Sequence, residues 1–199
     1  ATGLLILAIN RGTKFSSLLL ESHKSYAAEV TLGIQTDTDD AEGEKILSRS
    51  VTCNNEETKQ MLLSFLGSSK QKPPIYSALK VNGKPMYKYA REGVKVEKAS
   101  RNIEIQTIEN ISINLPRISF EVSCSKGTYI RSIARDLGEL LGCGGHLSAL
   151  KRLTQQDFLL KDAKKIDEIN ELDIIPLEQA FNNLESVNIP EEQFKKFIN

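Results

Sequence analysis

Arg131 sits in the stretch Ser125-Lys126-Gly127-Thr128-Tyr129-Ile130-Arg131-Ser132-Ile133-Ala134-Arg135-Asp136-Leu137-Gly138, which reads as a strand end, a tight turn and an amphipathic helix. Ile130, Ile133, Ala134, Leu137, Leu140 and Leu141 recur at helical spacing and form one apolar face. Thr128 reads as the N-cap and Gly142 as the stop. Lys126 and Arg131 therefore lie beside the positive end of the helix dipole, where a cation is disfavoured by a few tenths to ~1 kcal/mol. A cation kept there needs a facing anion. The candidates are a phosphate, which helix N-termini bind well, and a carboxylate from elsewhere in the chain.

A second group of residues suits nucleic acid. Net charge is zero, but from Lys70 to Arg101 nine Lys/Arg face only Glu92 and Glu97, a net of +7. From Asp157 to Asn199 ten acidic residues face five lysines, a net of −5. Tyr76, Tyr87 and Tyr89 interleave with the basic run, and aromatics stack on bases while cations meet phosphates. Ordinary solvated charge is the competing reading of such a run.

Other chemistries fit poorly. The acidic stretch Thr36-Asp37-Thr38-Asp39-Asp40-Ala41-Glu42-Gly43 fails the calcium-loop pattern, since from Asp37 the fifth position is Ala41, Glu42 takes the glycine's place and the twelfth is Ser48. Cys143 and His146 are joined by a Gly-rich link that orients no base, and no third group is evident. The cysteines 53, 124 and 143 are odd in number and lack Cys-x-x-Cys spacing, which argues for a reducing cytoplasm and against a zinc site. No run approaches the ~18 apolar residues of a membrane span.

Positioning these residues requires a mixed scaffold. Leu4 to Ile9 reads as a buried strand and Gly12 to Leu20 as helical. Tyr26, Ala28, Val30 and Leu32 alternate along a strand, and Gln35 to Gly43 is a polar loop. Glu56 to Leu66 predicts a helix, Ser77 to Pro85 a hairpin turning at Asn82-Gly83, and Met86 to Glu92 a short helix. Ile103 to Ile113 alternates with a slip near Thr107, as at a bulge, and Ile118 to Cys124 alternates cleanly. Leu147 to Leu153 is another strand, and Lys164 to Glu171 and Leu177 to Phe181 predict short helices. The expected class is α+β: a central, mixed but largely antiparallel sheet with flanking helices.

Ser-Lys-Gly-Thr-Tyr-Ile-Arg-Ser followed by Asp136-Leu137-Gly138 resembles the arginine motif of bacterial TruB-type tRNA pseudouridine synthases. Ala1-Thr2-Gly3-Leu4-Leu5, Tyr26 to Gly43 and Pro73 to Gly93 agree with the same family in order and spacing. The resemblance implies a pseudouridine synthase-like fold and a cytoplasmic, monomeric enzyme that isomerises the T-loop uridine of tRNA, without cofactor, metal or membrane. It implies an aspartate nucleophile in a Leu-Asp-Pro-x-Ala-Thr-Gly motif, three residues upstream of Ala1, so that this chain by itself is expected to be inactive. Arg131 becomes that aspartate's ion-pair partner, with a surface salt bridge or phosphate contact as the alternative. Tyr26 becomes the active-site tyrosine, giving a stacking face and a hydroxyl; a plain core tyrosine is the alternative. Tyr129 and Leu150 shape the uracil pocket, and Asp40 orders its loop near the substrate through backbone N–H groups.

Lys80 and Arg91 contact RNA beside the flipped nucleotide, Lys84, Lys88 and Lys126 meet phosphates, and Lys151 and Arg152 do the same at the far side. Residues 1–180 are the expected catalytic domain, with an RNA-binding insertion at about 70–101, and 181–199 begin an incomplete C-terminal module. Two rivals remain: a guide-RNA-dependent pseudouridine synthase, and a non-catalytic RNA-binding or tRNA-chaperone module.

Overall fold

Strand β2 (Lys24–Leu32) sits at the centre, because Ala28, Val30 and Leu32 place three apolar side chains on one face at period two. In the computed structural model, which describes residues 1–94, 96, 99–182, 184, 185, 187, 189, 190 and 193, the chain divides into two units, 1–163 and 164–199. In chain order the first unit holds β1 (Thr2–Gly3), a 3₁₀ turn (Asn10–Phe15), α1 (Ser16–Leu20), β2, β3 (Ile34–Thr36) and β4 (Lys45–Ser48). Then come α2 (Asn55–Leu63), β5 (Gly67–Gln71), β6 (Lys80–Val81), β7 (Lys84–Pro85) and α3 (Met86–Arg91). They are followed by β8 (Arg101–Asn114), β9 (Arg117–Cys124), α4 (Ile130–Leu140), β10 (Gly145–Gln155) and β11 (Phe158–Leu159). The second unit contains a 3₁₀ turn at Glu171–Asp173 and α5 (Leu177–Ala180).

The main sheet runs β1-β10-β2-β9-β8-β5, with β11 on β10; β1 pairs in parallel with β10 and the other described strand pairs are antiparallel. The fold is the α+β class expected, with a mixed, largely antiparallel sheet. One face carries the core: Ala28, Val30, Ile118, Phe120 and Val122 from the sheet, Ile130, Ile133, Ala134 and Leu137 from α4, and Leu62 from α2. The slip near Thr107 is a bulge between Ile105 and Thr107, and a second lies between Glu109 and Ser112. Helix α4 packs unusually close to β10. A Cβ added at Gly138 would lie 2.1 Å from the Gly145 nitrogen, so only glycine fits there.

Three expectations need correction, and one strand was not expected. Leu4 to Ile9 is not a strand: Leu4 is buried, but Leu5 and Leu7 are 69% and 61% exposed. The ladder with β10 ends at Gly3, whose φ of +94° turns the chain away, and an apolar run without a ladder partner stays irregular. The N-cap of α4 is Tyr129, not Thr128; Tyr129 is extended and lacks a side-chain cap bond, while the Thr128 hydroxyl lies 3.4 Å from that of Ser125. Strand β5 carries no apolar alternation and was invisible in the sequence; its residues Gly67–Gln71 are recruited by the ladder of β8. Lys164 to Glu171 is not helical, because the Asn170 side chain accepts from the Leu172 N–H and Asp173 bonds back to Asn170, starting a separate 3₁₀ turn.

Candidate active site

The anion that the helix head requires is a carboxylate of the same chain. Arg131, the second residue of α4, donates from Nη1 to Asp40 Oδ2 at 2.9 Å and to the Thr38 carbonyl at 3.2 Å, and from Nη2 to the Tyr76 carbonyl at 2.9 Å. These bonds use three of its five N–H donors, and Nε carries none of them. Both side chains of the pair keep 24% of their surface exposed, so the guanidinium is fixed yet still reachable.

Asp40 is itself prepared. Its Oδ1 accepts from the Thr38 hydroxyl at 2.6 Å and the Glu42 N–H at 3.1 Å, which turns Oδ2 toward Arg131. The backbone N–H bond expected of Asp40 is therefore present; the Arg131 pair is an addition that the sequence reading missed. The turn is tight: a Cβ at Gly43 would lie 2.9 Å from the Thr38 backbone nitrogen and would also displace the Thr38 hydroxyl and the Asp37 carboxylate. It is stitched to the sheet by Leu147, whose N–H bonds the Asp39 carbonyl at 3.0 Å and whose carbonyl accepts from Ala41 at 3.0 Å.

Beneath Asp40 lies a more buried network. Arg135 donates to Asp39 Oδ2 at 3.0 Å and to Asp136 Oδ1 at 2.8 Å. Burial pushes the Asp39 carboxyl up to about 6, against the pull of Arg135 and Arg131, and raises Asp136 for the same reason. On the other side the segment after β5 is bonded to α4. The Gln71 amide accepts from the Tyr129 N–H at 2.8 Å and donates to the Tyr129 carbonyl at 3.1 Å, and Ser132 Oγ and Arg135 Nη2 both donate to the Lys72 carbonyl at 3.0 Å.

Tyr26 lies near the same end of the sheet as the helix head, for Cys124 at the end of β9 registers with Lys24 two residues before it. It registers with Arg152 on β10, and Leu150 with Ala28, so Tyr26, Leu150 and Arg152 share one face. Burial raises the Tyr26 phenol above its ordinary pKa; Cys124 adds to this and the Arg152 guanidinium opposes it. Tyr129 carries the Arg101 guanidinium 6.0 Å from its ring centroid. Arg152 also donates from Nε to the Leu4 carbonyl at 2.7 Å, a long-range bond the sequence reading did not foresee. Lys151 points to solvent, and Lys126 pairs with Glu21.

The basic insertion is built differently. Lys80 and Lys84 lie on the β6–β7 hairpin, Lys88 and Arg91 on α3. Lys84 lies 4.6 Å from the Tyr89 ring centroid and pairs with Glu92; Arg91 lies 5.4 Å from that of Tyr87. A hollow of about 600 Å³ between α2 and β8, lined by Asn55, Lys59, Ile108 and Ile113, shares no residue with this constellation. Among the described residues no group of three or more His, Cys, Asp or Glu is arranged to hold a metal, and no helix is long and apolar enough to cross a membrane.

Sequence reasoning named Arg131, Asp40, Tyr26, Tyr129 and Leu150 as site residues; it did not so name Asp39, Gln71 and Arg135, which the structure bonds to α4 and its N-cap beside Arg131. Arg135 was legible in principle: it follows Arg131 by one helical turn and so shares its face. Gln71 offered no local signal, since its partner is 58 residues away.

Residues 1–130 match the family model of the TruB family pseudouridylate synthase N-terminal domain, and 131–187 that of the tRNA pseudouridylate synthase B C-terminal domain. The chain is 45% identical over 190 residues to tRNA pseudouridine synthase B of Alkaliphilus oremlandii, covering 96% of this chain and 60% of that protein. It is 41% identical over 203 residues to the protein of that name in Clostridium kluyveri, covering 100% of this chain and 70% of the relative. In fold it resembles the structure "Crystal Structure of a Cbf5-Nop10-Gar1 Complex", with a TM-score of 0.58 at 22% identity over 89% of this chain and 43% of that one. The chain thus spans about 60% of the length of its Alkaliphilus relative, and on the match of both family models along it, it belongs to the TruB family of pseudouridylate synthases.

Proposed function

We propose that this chain is the larger part of a tRNA pseudouridine synthase that isomerises the T-loop uridine of the tRNA T-arm. The reaction breaks the C1′–N1 glycosidic bond, turns the uracil and rejoins it through C5, whose proton leaves to solvent. It needs a carboxylate, a cation that keeps the carboxylate ionised, a surface for the flipped base and a proton acceptor; extruding the base costs a few kcal/mol.

The observation that carries this reading is the fixed but reachable guanidinium of Arg131. Arginine suits a carboxylate partner because its planar fork stays charged and offers paired donors. Strand β1 supports the source of that carboxylate. Thr2 registers in parallel with Lys151, so a residue three positions before Ala1 extends the line to the level of Leu147, which is bonded to Asp39 and Ala41 beside Arg131. The family motif has its nucleophilic aspartate at that position. Tyr26 supplies the stacking face and hydroxyl, and Tyr129 and Leu150 bound the uracil. Lys80 and Arg91 act beside the flipped nucleotide; Lys84, Lys88, Lys126, Lys151 and Arg152 meet phosphates. On this reading the catalytic domain extends to about residue 180, the protein is monomeric and cytoplasmic, and the 199-residue chain is inactive without the motif aspartate.

The test uses a T-arm transcript and two proteins: this chain alone, and this chain behind a Leu-Asp-Pro-x segment. Carbodiimide marking of pseudouridine followed by primer extension is expected to stop at the T-loop uridine only with the extended protein. Binding of the transcript by both proteins with modification by neither would favour the RNA-chaperone reading instead.

A further inference from the structure

Arg135 has no place in the reaction just described, yet it is among the most fully bonded side chains near the site. It donates from Nη1 to Asp39, from Nε to Asp136 and from Nη2 to the Lys72 carbonyl, at 2.8 to 3.0 Å. Its side chain is 13% exposed and that of Asp39 10%, so this guanidinium is too enclosed to serve as a phosphate contact. The three partners come from three separate places: the acidic turn, the root of the basic insertion and α4 itself. Asp39 is the covalent neighbour of Asp40 and stands at a φ of +62°, in the left-handed region that few non-glycine residues adopt, Asp more readily than most. The two arginines, one helical turn apart, thus grip two consecutive aspartates.

We infer that Arg135 is a positioning residue which, through Asp39, fixes the acidic turn and the Lys72 segment in register with α4, so that Asp40 meets Arg131 in a single orientation. Stability alone is a poor account of the pair. Removing two charges from water offsets much of their attraction, and apolar packing of similar volume often stabilises as well or better. The raised Asp39 carboxyl reflects that opposition. What the pair adds is direction: a displacement of about 1 Å in a group that must face a reacting carboxylate costs up to ~100-fold in rate.

This inference rests on the proposed isomerase reading. In the extended protein that carries the motif aspartate, Arg135→Gln and Asp39→Asn are each expected to lower kcat on T-arm RNA by about 10- to 100-fold. KM should stay within ~2-fold, because both side chains are largely enclosed. The double variant should lose no more than either single one, and Arg135→Lys should recover part of the rate. Melting temperature separates misfolding from misplacement, and Asp39→Asn, which keeps the side-chain shape, serves if Arg135→Gln fails to fold. An unchanged kcat in the folded variants, or additive losses, would overturn the positioning role while leaving the isomerase intact. Should the unmutated extended protein show no turnover, the isomerase reading fails by itself. The side-chain nitrogen NMR signals of Arg131 in the 199-residue chain then decide: separate Nη signals that merge in Asp39→Asn support the inference, and signals unaltered by the substitution overturn it.

Discussion

The cations of α4 and those of the basic insertion share a charge and little else. Arg131 and Arg135 each bind a carboxylate and at least one backbone carbonyl, drawn from segments 55 to 96 residues away. Lys84 and Arg91 lie over tyrosines of their own neighbourhood, Tyr89 and Tyr87, and Lys84 pairs with nearby Glu92. The first arrangement fixes a guanidinium before any substrate arrives, which is what electrostatic stabilisation of a reacting group demands. The second leaves cations on short local supports, where they can follow a phosphate backbone. On the proposed reading, the difference separates a guanidinium that faces the reacting carboxylate, and the one that positions it, from cations that hold RNA, a distinction that net charge along the sequence does not contain.

The sharpest way to break this comparison is to exchange the predicted effects. Arg131→Ala in the extended protein should lower turnover by at least about 10³-fold while leaving tRNA affinity within a few-fold, measured by single-turnover kinetics and filter binding. Equal losses in binding and turnover would place Arg131 among the RNA-positioning cations. Asp40→Ala should lower turnover by about 100-fold and stability by about 1–3 kcal/mol in urea unfolding, since it leaves the Arg131 guanidinium without its carboxylate. Replacing Lys80 and Arg91 together should weaken binding about 10-fold and flatten the salt dependence by about 1 to 2 phosphate contacts, with turnover of bound RNA kept. An unaltered salt slope would remove both from the interface.

The smallest effect concerns pH. The Asp39 carboxyl is raised from 3.8 to about 6, so between these values the folded chain holds a proton that the unfolded chain has released. That contribution to stability is full below about pH 4 and is lost as pH rises through 6. Urea midpoints of the unaltered chain should therefore fall relative to those of Asp39→Asn between pH 4.5 and 7. A parallel pair of curves would show that Asp39 carries no such shift.

Much of the scaffold was legible because it follows local rules. The alternation of β2 and β9, the helical face of α4 and the Asn82-Gly83 turn announce themselves within a few residues. Strand β5 did not, because Gly-Ser-Ser-Lys-Gln has no apolar pattern and pairs only through its backbone. Leu4 to Ile9 misled for the converse reason: the apolar residues are there but the ladder is not. In the site, Arg131 was betrayed by a charge in the wrong place on a helix. Its partner Asp40 was named for another bond, and Gln71 stayed hidden because its match to Tyr129 exists only in three dimensions.

The proposed isomerisation turns on a carboxylate that Arg131 keeps ionised. Its most direct measurement is tritium release from T-arm RNA labelled at uridine C5, by two proteins that carry this chain behind Leu-Asp-Pro-x and behind Leu-Asn-Pro-x. Release by the first and none by the second is the predicted result; equal release by both would contradict it.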